Sequence, residues 1–437
     1  MRGKEMRRTD LDCPEIPQGV ISQTGYVEKK IEIEIITPLF GGGVEPGEND
    51  PITLIRGTSI RGQLRFWWRA TLGANCKSVS ELRKREGEIW GTTEKPSSVN
   101  LRVKILDNGK EEICAQYSSG KKFPKFTNGY PGYALFPFQG DSSGKPPSIA
   151  RKNIKFEIIL YFLESQSKEV EASLWAWLNF GGIGARSRRG CGALYCKVFA
   201  PKTANVSELS SWFKENKEKF NIPPSLLVPQ GWPTLGAIFL VKEEVNVFKA
   251  WEDAVNLMYD FRQKVSFERS PGQRDLPGRS HWPEADSLRA ITGQGAANHK
   301  TSSTIEARLL KESPAFPRAE LGLPIIFHFK DPADSPNNSE LYSVNSKRMS
   351  SPIILRPLAV DDGKKAVSMF FVLNTVKPDK LRLKIGGKEH LIDTLTSIRR
   401  PELANYKNSP MRVSEKGSAL ESLVSFAKEQ NFKEVPP

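Results

Sequence analysis

The sequence predicts an α+β fold, and three observations support that prediction. The chain has 437 residues, which is more than one domain usually contains. Between residues 29 and 199, segments with strand-like alternation and segments with helical periodicity follow one another in the order βαββαβ. A second strand and helix restart that order at residue 236. We therefore expect tandem ferredoxin-like (RRM-like) βαββαβ domains with long insertions.

The first half holds the clearest elements. Residues 29–37 alternate Ile with Lys or Glu, as in a half-buried strand. A helix is expected next, capped by Thr58 or Ser59 and ending near Gly73. Its inward positions are Ile60, Leu64, Trp67, Trp68 and Thr71. The rest of this half is expected as strands at 99–106 and 154–163, a helix at 168–180 and a strand at 193–199. Residues 107–150 are rich in Gly, Pro, Ser and Lys, which predicts a long functional or mobile insertion.

The second half is expected to repeat the same order in a more decorated form. Its elements are a strand at 236–242, a helix at 246–265, apolar runs at 323–329, 352–360 and 367–373, and a helix at about 417–430. The predicted division is an N-terminal arm (1–28), an N-terminal ferredoxin-like domain (29–205), a connection (206–235) and a C-terminal ferredoxin-like domain (236–437).

Composition excludes several classes of protein. With 38% hydrophobic and 26% charged residues, the chain is globular rather than collagenous, coiled-coil or wholly disordered. It has no uninterrupted apolar stretch of membrane-spanning length, and no apolar segment follows the basic N-terminus, so we expect neither a membrane span nor a secretory signal. Five scattered cysteines argue against a disulfide framework and for the reducing cytoplasm.

The charge of the chain predicts a polyanionic partner. The net charge is +14, and nucleic acid is the first candidate, with an anionic membrane surface second. The excess is uneven, because residues 51–80, 172–207 and 341–360 contain no Asp or Glu. Arginines without neighbouring carboxylates are what a phosphate-binding face requires.

The first motif is RGTSIRGQLRFWWRAT at 56–71. Arg61, Arg65 and Arg69 are four residues apart, so on a helix they form one stripe. Arg56 precedes the helix start, where free N–H groups and the helix dipole already favour anions. The alternative is that these arginines pair with acids distant in sequence. Trp67 and Trp68 are both expected in the core, with stacking of one of them on a base as the alternative.

The second motif is FGGIGARSRRGCGAL at 180–194. Its glycines permit close backbone approach, and Arg186, Arg188 and Arg189 supply charge-assisted donors. Ser187 stands where a dinucleotide fingerprint needs its third Gly, and the aromatic residues of an RRM motif are missing. This loop is therefore expected to bind a phosphate backbone rather than stack on bases, and the alternative is a flexible surface hairpin. We expect the two motifs to converge into one phosphate-binding trough.

Two further motifs carry basic residues. In GRSHWPEADSLR at 278–289, Arg279 and His281 are candidate RNA contacts. A ribonuclease would instead use His281 as general base with Lys300 stabilising charge, and a purely structural role would have His281 and Trp282 shaping a turn. The segment KRMSSPIILRP at 347–357 indicates an edge strand flanked by Lys347, Arg348 and Arg356. Here Arg348 is the candidate RNA contact.

Metal and cofactor chemistry is not predicted. The sequence has no CxxC or HxxxH, and Cys191 and Cys196 lack paired ligands. The four histidines are scattered, and Asp361-Asp362 beside Gly363 is typical of a turn. No catalytic residue, metal or cofactor is therefore assigned.

The motifs together resemble a known family. ITPLFGGG, IRGTSIRGQLRFWWR and GGIGARSRRGCG are similar to segments of the RAMP superfamily of CRISPR-associated proteins. With GRSHWPEADSLR and SSPIILRP, the chain most resembles the first-numbered subunit of the Cmr complex, the type III-B RNA-targeting effector. The resemblance covers about residues 31–360; the Gly-rich loop marks only the superfamily, and the arginine-rich run is more specific.

The resemblance implies a function. A protein of this kind is a tandem ferredoxin-like subunit near the end of the effector filament, where it helps to hold the 3′ portion of the guide RNA and the single-stranded target RNA beside other RAMP subunits. Target cutting belongs to a different, repeated subunit. The arginines that would then face RNA are Arg56, Arg61, Arg65, Arg69, Arg186, Arg188 and Arg189. Because guide sequences vary, such a protein should contact the backbone rather than the bases.

Two alternatives remain open at this point. One is a metal-independent CRISPR RNA-processing endoribonuclease of the same superfamily, with His281 in the active site. The other is an assembly subunit whose basic faces bind acidic protein partners and no RNA.

Overall fold

The structure is a computed structural model. It describes residues 25–41, 47–118, 124–127, 129–142, 144–224, 231–264, 267–268, 279–280, 282–294, 313–329, 336, 338–377, 380–393, 410–411 and 418–436. The predicted N-terminal arm, apart from its last residues, and the candidates His281 and Lys300 lie outside these residues.

Eighteen strands are found in the described part of the chain. They are β1 (Tyr26–Ile35), β2 (Asn100–Asp107), β3 (Lys110–Ile113), β4 (Ala115–Gln116), β5 (Lys125–Phe126), β6 (Ile149–Lys152), β7 (Ile154–Leu163), β8 (Leu194–Tyr195), β9 (Thr234–Asn246), β10 (Phe267–Glu268), β11 (Arg279–Ser280), β12 (Ile325–Phe327), β13 (Ser339–Ser343), β14 (Ile353–Val360), β15 (Lys365–Asn374), β16 (Lys380–Ile385), β17 (Lys388–Asp393) and β18 (Lys433–Glu434).

Eight α-helices are found in the same described residues. They are α1 (Gly57–Ala70), α2 (Val79–Trp90), α3 (Gly132–Leu135), α4 (Ser167–Phe180), α5 (Val206–Lys219), α6 (Val247–Tyr259), α7 (Pro283–Thr292) and α8 (Ala419–Glu429). No helix within the described ranges is both long and apolar enough to cross a membrane.

The first sheet follows the predicted pattern. Its order is β2-β7-β1-β8, and every pair is antiparallel. The alternation in β1 buries Ile31, Ile33 and Ile35 and leaves Lys30 and Glu32 exposed on the opposite face. The buried face belongs to the same hydrophobic cluster as the apolar sides of α1 and α4, including Trp67 and Trp68. The helices therefore cover one face and leave the other open, as expected.

The second sheet repeats the strand order of the first. Its order is β14-β15-β9-β18, again antiparallel throughout, with α6 after its first strand and α8 before its last. All eight residues of β14 are buried, so this sheet is covered on both faces. One face packs against the first half, and the other packs against α6 and α8.

The two halves share one hydrophobic core. Phe180, at the end of α4, stacks on Phe371 of β15 with ring centroids 4.6 Å apart. The segment expected as a connection contains α5, a helix that the sequence analysis did not predict. Its Phe213 packs edge-on against Phe239 of β9 at 5.4 Å, so α5 helps to close the junction. Because contact between the halves is apolar and extensive, they are expected to move little relative to one another.

Several predicted boundaries were wrong. The strand expected at 193–199 is limited to Leu194–Tyr195, because the N–H groups of Phe199 and Ala200 turn back to the Cys196 carbonyl. The expected caps Thr58 and Ser59 lie inside α1, whose N-cap position is Arg56 with no side-chain cap. The insertion 107–150 holds β3–β5, α3 and the start of β6, around a small core that it shares with Phe40, Cys191 and Trp251. A further sheet, β12-β13-β16-β17, is inserted in the second half.

Candidate nucleic-acid interface

Helix α1 carries the arginine stripe where the sequence placed it. Arg61, Arg65 and Arg69 are half-buried along one side, and Ile60, Leu64, Trp67 and Trp68 are buried on the other. The first turn contains no acidic residue, so the positive end of the helix dipole is uncompensated there.

Two of the stripe arginines are paired with an acid. The Nε atom of Arg65 lies 2.6 Å from Oε1 of Glu86 in α2, and Nε of Arg69 lies 3.8 Å from Oε2 of the same carboxylate. The side chain of Glu86 is only 7% exposed, so this acid is held beneath the arginines. The acid-free window in the sequence is therefore not acid-free in space. One carboxylate faces two guanidinium groups, which leaves this part of the stripe with a net positive charge.

Arg56 and Arg61 differ from the other two. Neither makes an ion pair within the described part of the chain. Arg56 is close enough to Asp50 for an electrostatic interaction, but the Asp50 carboxylate is already committed to the N–H groups of Thr53 and Ile52. Those hydrogen bonds first, and the Arg56 charge to a lesser extent, lower the pKa of Asp50. The guanidinium groups of Arg56 and Arg61 thus remain available to an anion from solution.

The Gly/Arg loop is packed rather than open. A Cβ on Gly190 (φ +77°) would lie 2.5 Å from the Trp251 indole and 3.0 Å from the Leu355 carbonyl oxygen. At Gly192 (φ +60°), a Cβ would overlap the Ile183 carbonyl oxygen. The hydroxyl of Thr37 donates to the Gly190 carbonyl at 2.6 Å. These glycines therefore allow the loop backbone to pack closely against other parts of the protein. This corrects the flexible-hairpin expectation, while phosphate binding by the loop arginines stays a prediction.

The loop arginines bind backbone carbonyls. Arg188 donates to the Ser351 carbonyl, and Arg189 donates to the Ile353 carbonyl at 2.9 Å, so both reach the second half of the chain. Arg186 donates to the Tyr133 carbonyl at 3.3 Å in the insertion. Burial lowers the pKa of all three and brings that of Arg189 to about 10. They remain charged at neutral pH, and no carboxylate among the described residues pairs with them.

The two motifs meet at α1, but on different sides of it. The Arg188 guanidinium lies 5.7 Å from the centre of the Phe66 ring. At 100° per residue, Phe66 and Gln63 are roughly 130° around the helix axis from the arginine stripe. Exposed Gly62 lies between the two sides, while exposed Thr58 falls within the stripe and exposed Ser59 on the side of Phe66 and Gln63. The structure thus has a ridge bordered by positive charge on both flanks, which we call the α1 surface, instead of a single trough.

The remaining candidates lie apart from this surface or outside the described residues. Arg348 and Lys347 are exposed in the loop before β14. Arg279 is in the short strand β11, and its side chain lies outside the described part of the structure. Trp282 is fully buried, occupies the N-cap position of α7 and donates its indole N–H to the Arg262 carbonyl, so it has the structural role that was the alternative for this motif.

One basic residue that the sequence placed with the candidates is part of the core. Arg356 has no exposed surface and donates to four carbonyls, those of Leu178, Gly181, Leu194 and Pro357. Burial lowers its pKa to about 9. It thereby joins β14 to the end of α4 and to β8. An arginine in the middle of an otherwise apolar strand, IILRPLAV, was the signal for this role.

Metal ligands do not come together in the described ranges, where no three His, Cys, Asp or Glu side chains cluster. The four cysteines in those ranges, Cys76, Cys114, Cys191 and Cys196, are buried and unbridged.

Comparison with known proteins decides the family. Residues 32–195, which include both motifs, match the RAMP superfamily. Over 179 residues, 38% of this chain and 94% of the relative, the sequence is 30% identical to the CRISPR system Cmr subunit Cmr1-2 of Pyrococcus furiosus. The chain belongs to the RAMP superfamily and is a Cmr1-like protein. The family predicted from the motifs is thus confirmed.

Other relatives of this Cmr1-like protein are more distant. The subunit Cmr1-1 of the same organism is 29% identical over 148 residues, 32% of this chain and 40% of that protein. The crystal structure of Cmr1 from Pyrococcus furiosus in its apo form has a TM-score of 0.44 at 16% identity, covering 80% of this chain and 88% of that chain. A cryo-EM structure of the type III-B Cmr-beta bound to cognate target RNA has a TM-score of 0.46 at 13% identity, covering 81% and 96%.

Proposed function

We propose that this Cmr1-like protein is a non-catalytic RNA-binding subunit of a cytoplasmic type III-B CRISPR effector ribonucleoprotein that silences foreign RNA. The observation that carries the proposal is the start of α1. There, neither Arg56 nor Arg61 makes an ion pair among the residues described, and the first helical turn contains no acid. Such a surface attracts phosphates, and the net charge of +14 adds long-range attraction.

The α1 surface suits the RNA backbone better than base edges. Guanidinium groups bind phosphates without regard to sequence, as a subunit that holds variable guides requires. We therefore propose the 3′ portion of the guide RNA, the target RNA and other RAMP subunits as partners. The 30% identity to Cmr1-2 supports this assignment. Arg65, Arg69, Arg186, Arg188, Arg189, Arg279, His281 and Arg348 stay in the proposed set of RNA contacts, with Arg56 and Arg61 contributing most.

We also propose that the chain contains two ferredoxin-like domains, at 29–205 and 236–437, joined by 206–235. The equal strand order of the first two sheets supports this proposal. In each sheet the first strand pairs with the third and the fourth, and a helix, α1 or α6, is the next helix after the first strand. The sheet β12-β13-β16-β17 is then an insertion in the second domain.

Arg56→Gln combined with Arg61→Gln should weaken binding to single-stranded RNA of any sequence. Removal of each arginine–phosphate interaction should lower the slope of log K against log salt by about 0.7 for a single strand. The measurement is fluorescence anisotropy with two RNAs of unrelated sequence across a range of salt concentrations. Equal losses of affinity for both RNAs are expected, because the arginines bind phosphate.

The matched control is Lys384→Gln combined with Lys388→Gln, which removes the same charge from exposed positions in the β16–β17 hairpin. It should leave the salt slope unchanged. Equal slopes for both double variants would refute the α1 assignment. The RNA should also be recovered intact after incubation in EDTA; cleavage that His281→Ala abolishes would favour the endoribonuclease. Absence of RNA binding by the parent protein would favour the assembly subunit.

A further inference from the structure

A small cleft lies at the junction of the two halves, beside the α1 surface. It has a volume of about 180 Å³ and is lined by α1, the Gly/Arg loop and β14. The residues that supply its chemistry are Gln63, Phe66, Trp67, Ser187 and Arg188. Pockets for drug-sized ligands are larger, about 300–1,000 Å³, so this cleft fits a single planar ring.

A buried tryptophan lines the cleft. Trp67 is 2% exposed, and its indole nitrogen is buried. A Cβ on Gly181 would lie 2.6 Å from this Nε1 atom, so the backbone of Gly181, which also lines the cleft, packs directly against the indole. Trp67 therefore offers apolar ring surface to the cleft.

Two flat groups form the walls of the cleft. Phe66 is half-buried and packs edge-on against Trp67 at 5.2 Å, while the Arg188 guanidinium lies over its ring at 5.7 Å. The hydrogen bond from Arg188 to the Ser351 carbonyl fixes this guanidinium in place. Arg188 has no carboxylate partner among the described residues, so its charge is uncompensated. Aromatic rings and guanidinium planes are the groups on which proteins stack unpaired RNA bases.

We propose that this cleft receives one unstacked nucleobase of the RNA that passes over the α1 surface. The base lies against the Phe66 ring and the Arg188 guanidinium. The Gln63 amide and the Ser187 hydroxyl are adaptable partners for the remaining base edge, so that any base is accepted. This inference rests on the proposed function. It adds a base-binding site to a surface that otherwise contacts only backbone.

The test compares Phe66→Ala with the parent protein on two oligomers of equal length and charge. One is a single-stranded RNA of mixed sequence, and the other is the same ribose-phosphate backbone without bases. The parent should bind the RNA roughly 5- to 100-fold more tightly than the abasic oligomer. Phe66→Ala should lose most of that preference while keeping its affinity for the abasic oligomer and its salt slope.

Two further variants control for damage to the fold. Phe66→Trp keeps a flat ring and should retain the preference for bases. Gln63→Ala removes a half-buried side chain that lines the cleft beside Phe66, and it should reduce the preference by a smaller factor. A misfolded Phe66→Ala protein would lose the abasic oligomer too, and Gln63→Ala then decides the question. The inference is overturned if the parent binds both oligomers alike, or if both truncations leave the preference intact. If the parent protein binds neither oligomer, the proposed RNA-binding function itself is refuted.

Discussion

Arg356→Met is expected to destabilise the protein by about 3–5 kcal/mol, the cost of breaking a fully buried charged network. Arg356 has no exposed surface, and it donates to the Leu194 carbonyl at 2.7 Å and to the Leu178 carbonyl at 3.2 Å. Methionine has similar length but no donor, so these carbonyls would be left buried without partners. Urea denaturation followed by tryptophan fluorescence measures the loss of stability.

The same substitution at an exposed arginine provides the control. Arg382 pairs with Glu389 at 2.9 Å on the surface of the sheet β12-β13-β16-β17. Exposed pairs contribute about 0–1 kcal/mol, so Arg382→Met should shift the midpoint little. If Arg356→Met were as stable as Arg382→Met, the buried guanidinium would contribute nothing to joining the two halves.

Gly192→Ala is expected to destabilise the protein by roughly 2–5 kcal/mol. Gly192 has φ +60°, a left-handed conformation that costs a residue with Cβ about 1–2 kcal/mol. The added methyl would also overlap the Ile183 carbonyl oxygen, and overpacking typically costs about 1–3 kcal/mol more. Thermal denaturation measures the loss of stability. Because the loop packs on Trp251 through Gly190, the native tryptophan fluorescence should also decrease.

Gly62→Ala is the matched control within α1. A Cβ there meets nothing within 4 Å, and glycine inside a helix costs about 1 kcal/mol relative to alanine. This variant should therefore be as stable as the parent or more stable. A Gly192→Ala protein that melts with the parent would show that the loop is not closely packed in solution, as in the flexible-hairpin alternative.

The regular elements were predictable because their sequences repeat with the period of the structure. β1 and β7 alternate, and α1 and α4 have apolar positions three and four residues apart. Helices α2 and α5 were missed because charged residues obscure their short apolar stripes: α2 buries Leu82, Ile89 and Trp90 in a segment, VSELRKREGEIW, where half of the residues are charged. Their burial depends on neighbours that the local pattern does not contain.

Only part of the site was predicted, because the sequence shows which residues are charged but not which groups they contact in the fold. The stripe of α1 followed from its four-residue spacing, but Glu86, which pairs with Arg65, is 21 residues away. Arg188 and Arg189 bind carbonyls more than 160 residues distant, so the loop appeared free. Phe66 was overlooked beside two tryptophans, although an aromatic residue off the apolar stripe of a helix is the signal for an exposed ring.

The most direct test of the α1 surface is photo-crosslinking in a reconstituted Cmr complex, with 4-thiouridine along the guide RNA and mass spectrometry of the crosslinked peptides. We expect crosslinks in residues 56–69, with Phe66 among them, and their loss when Arg56→Gln and Arg61→Gln are combined. Crosslinks confined to the sheet β12-β13-β16-β17, with none in α1, would contradict it.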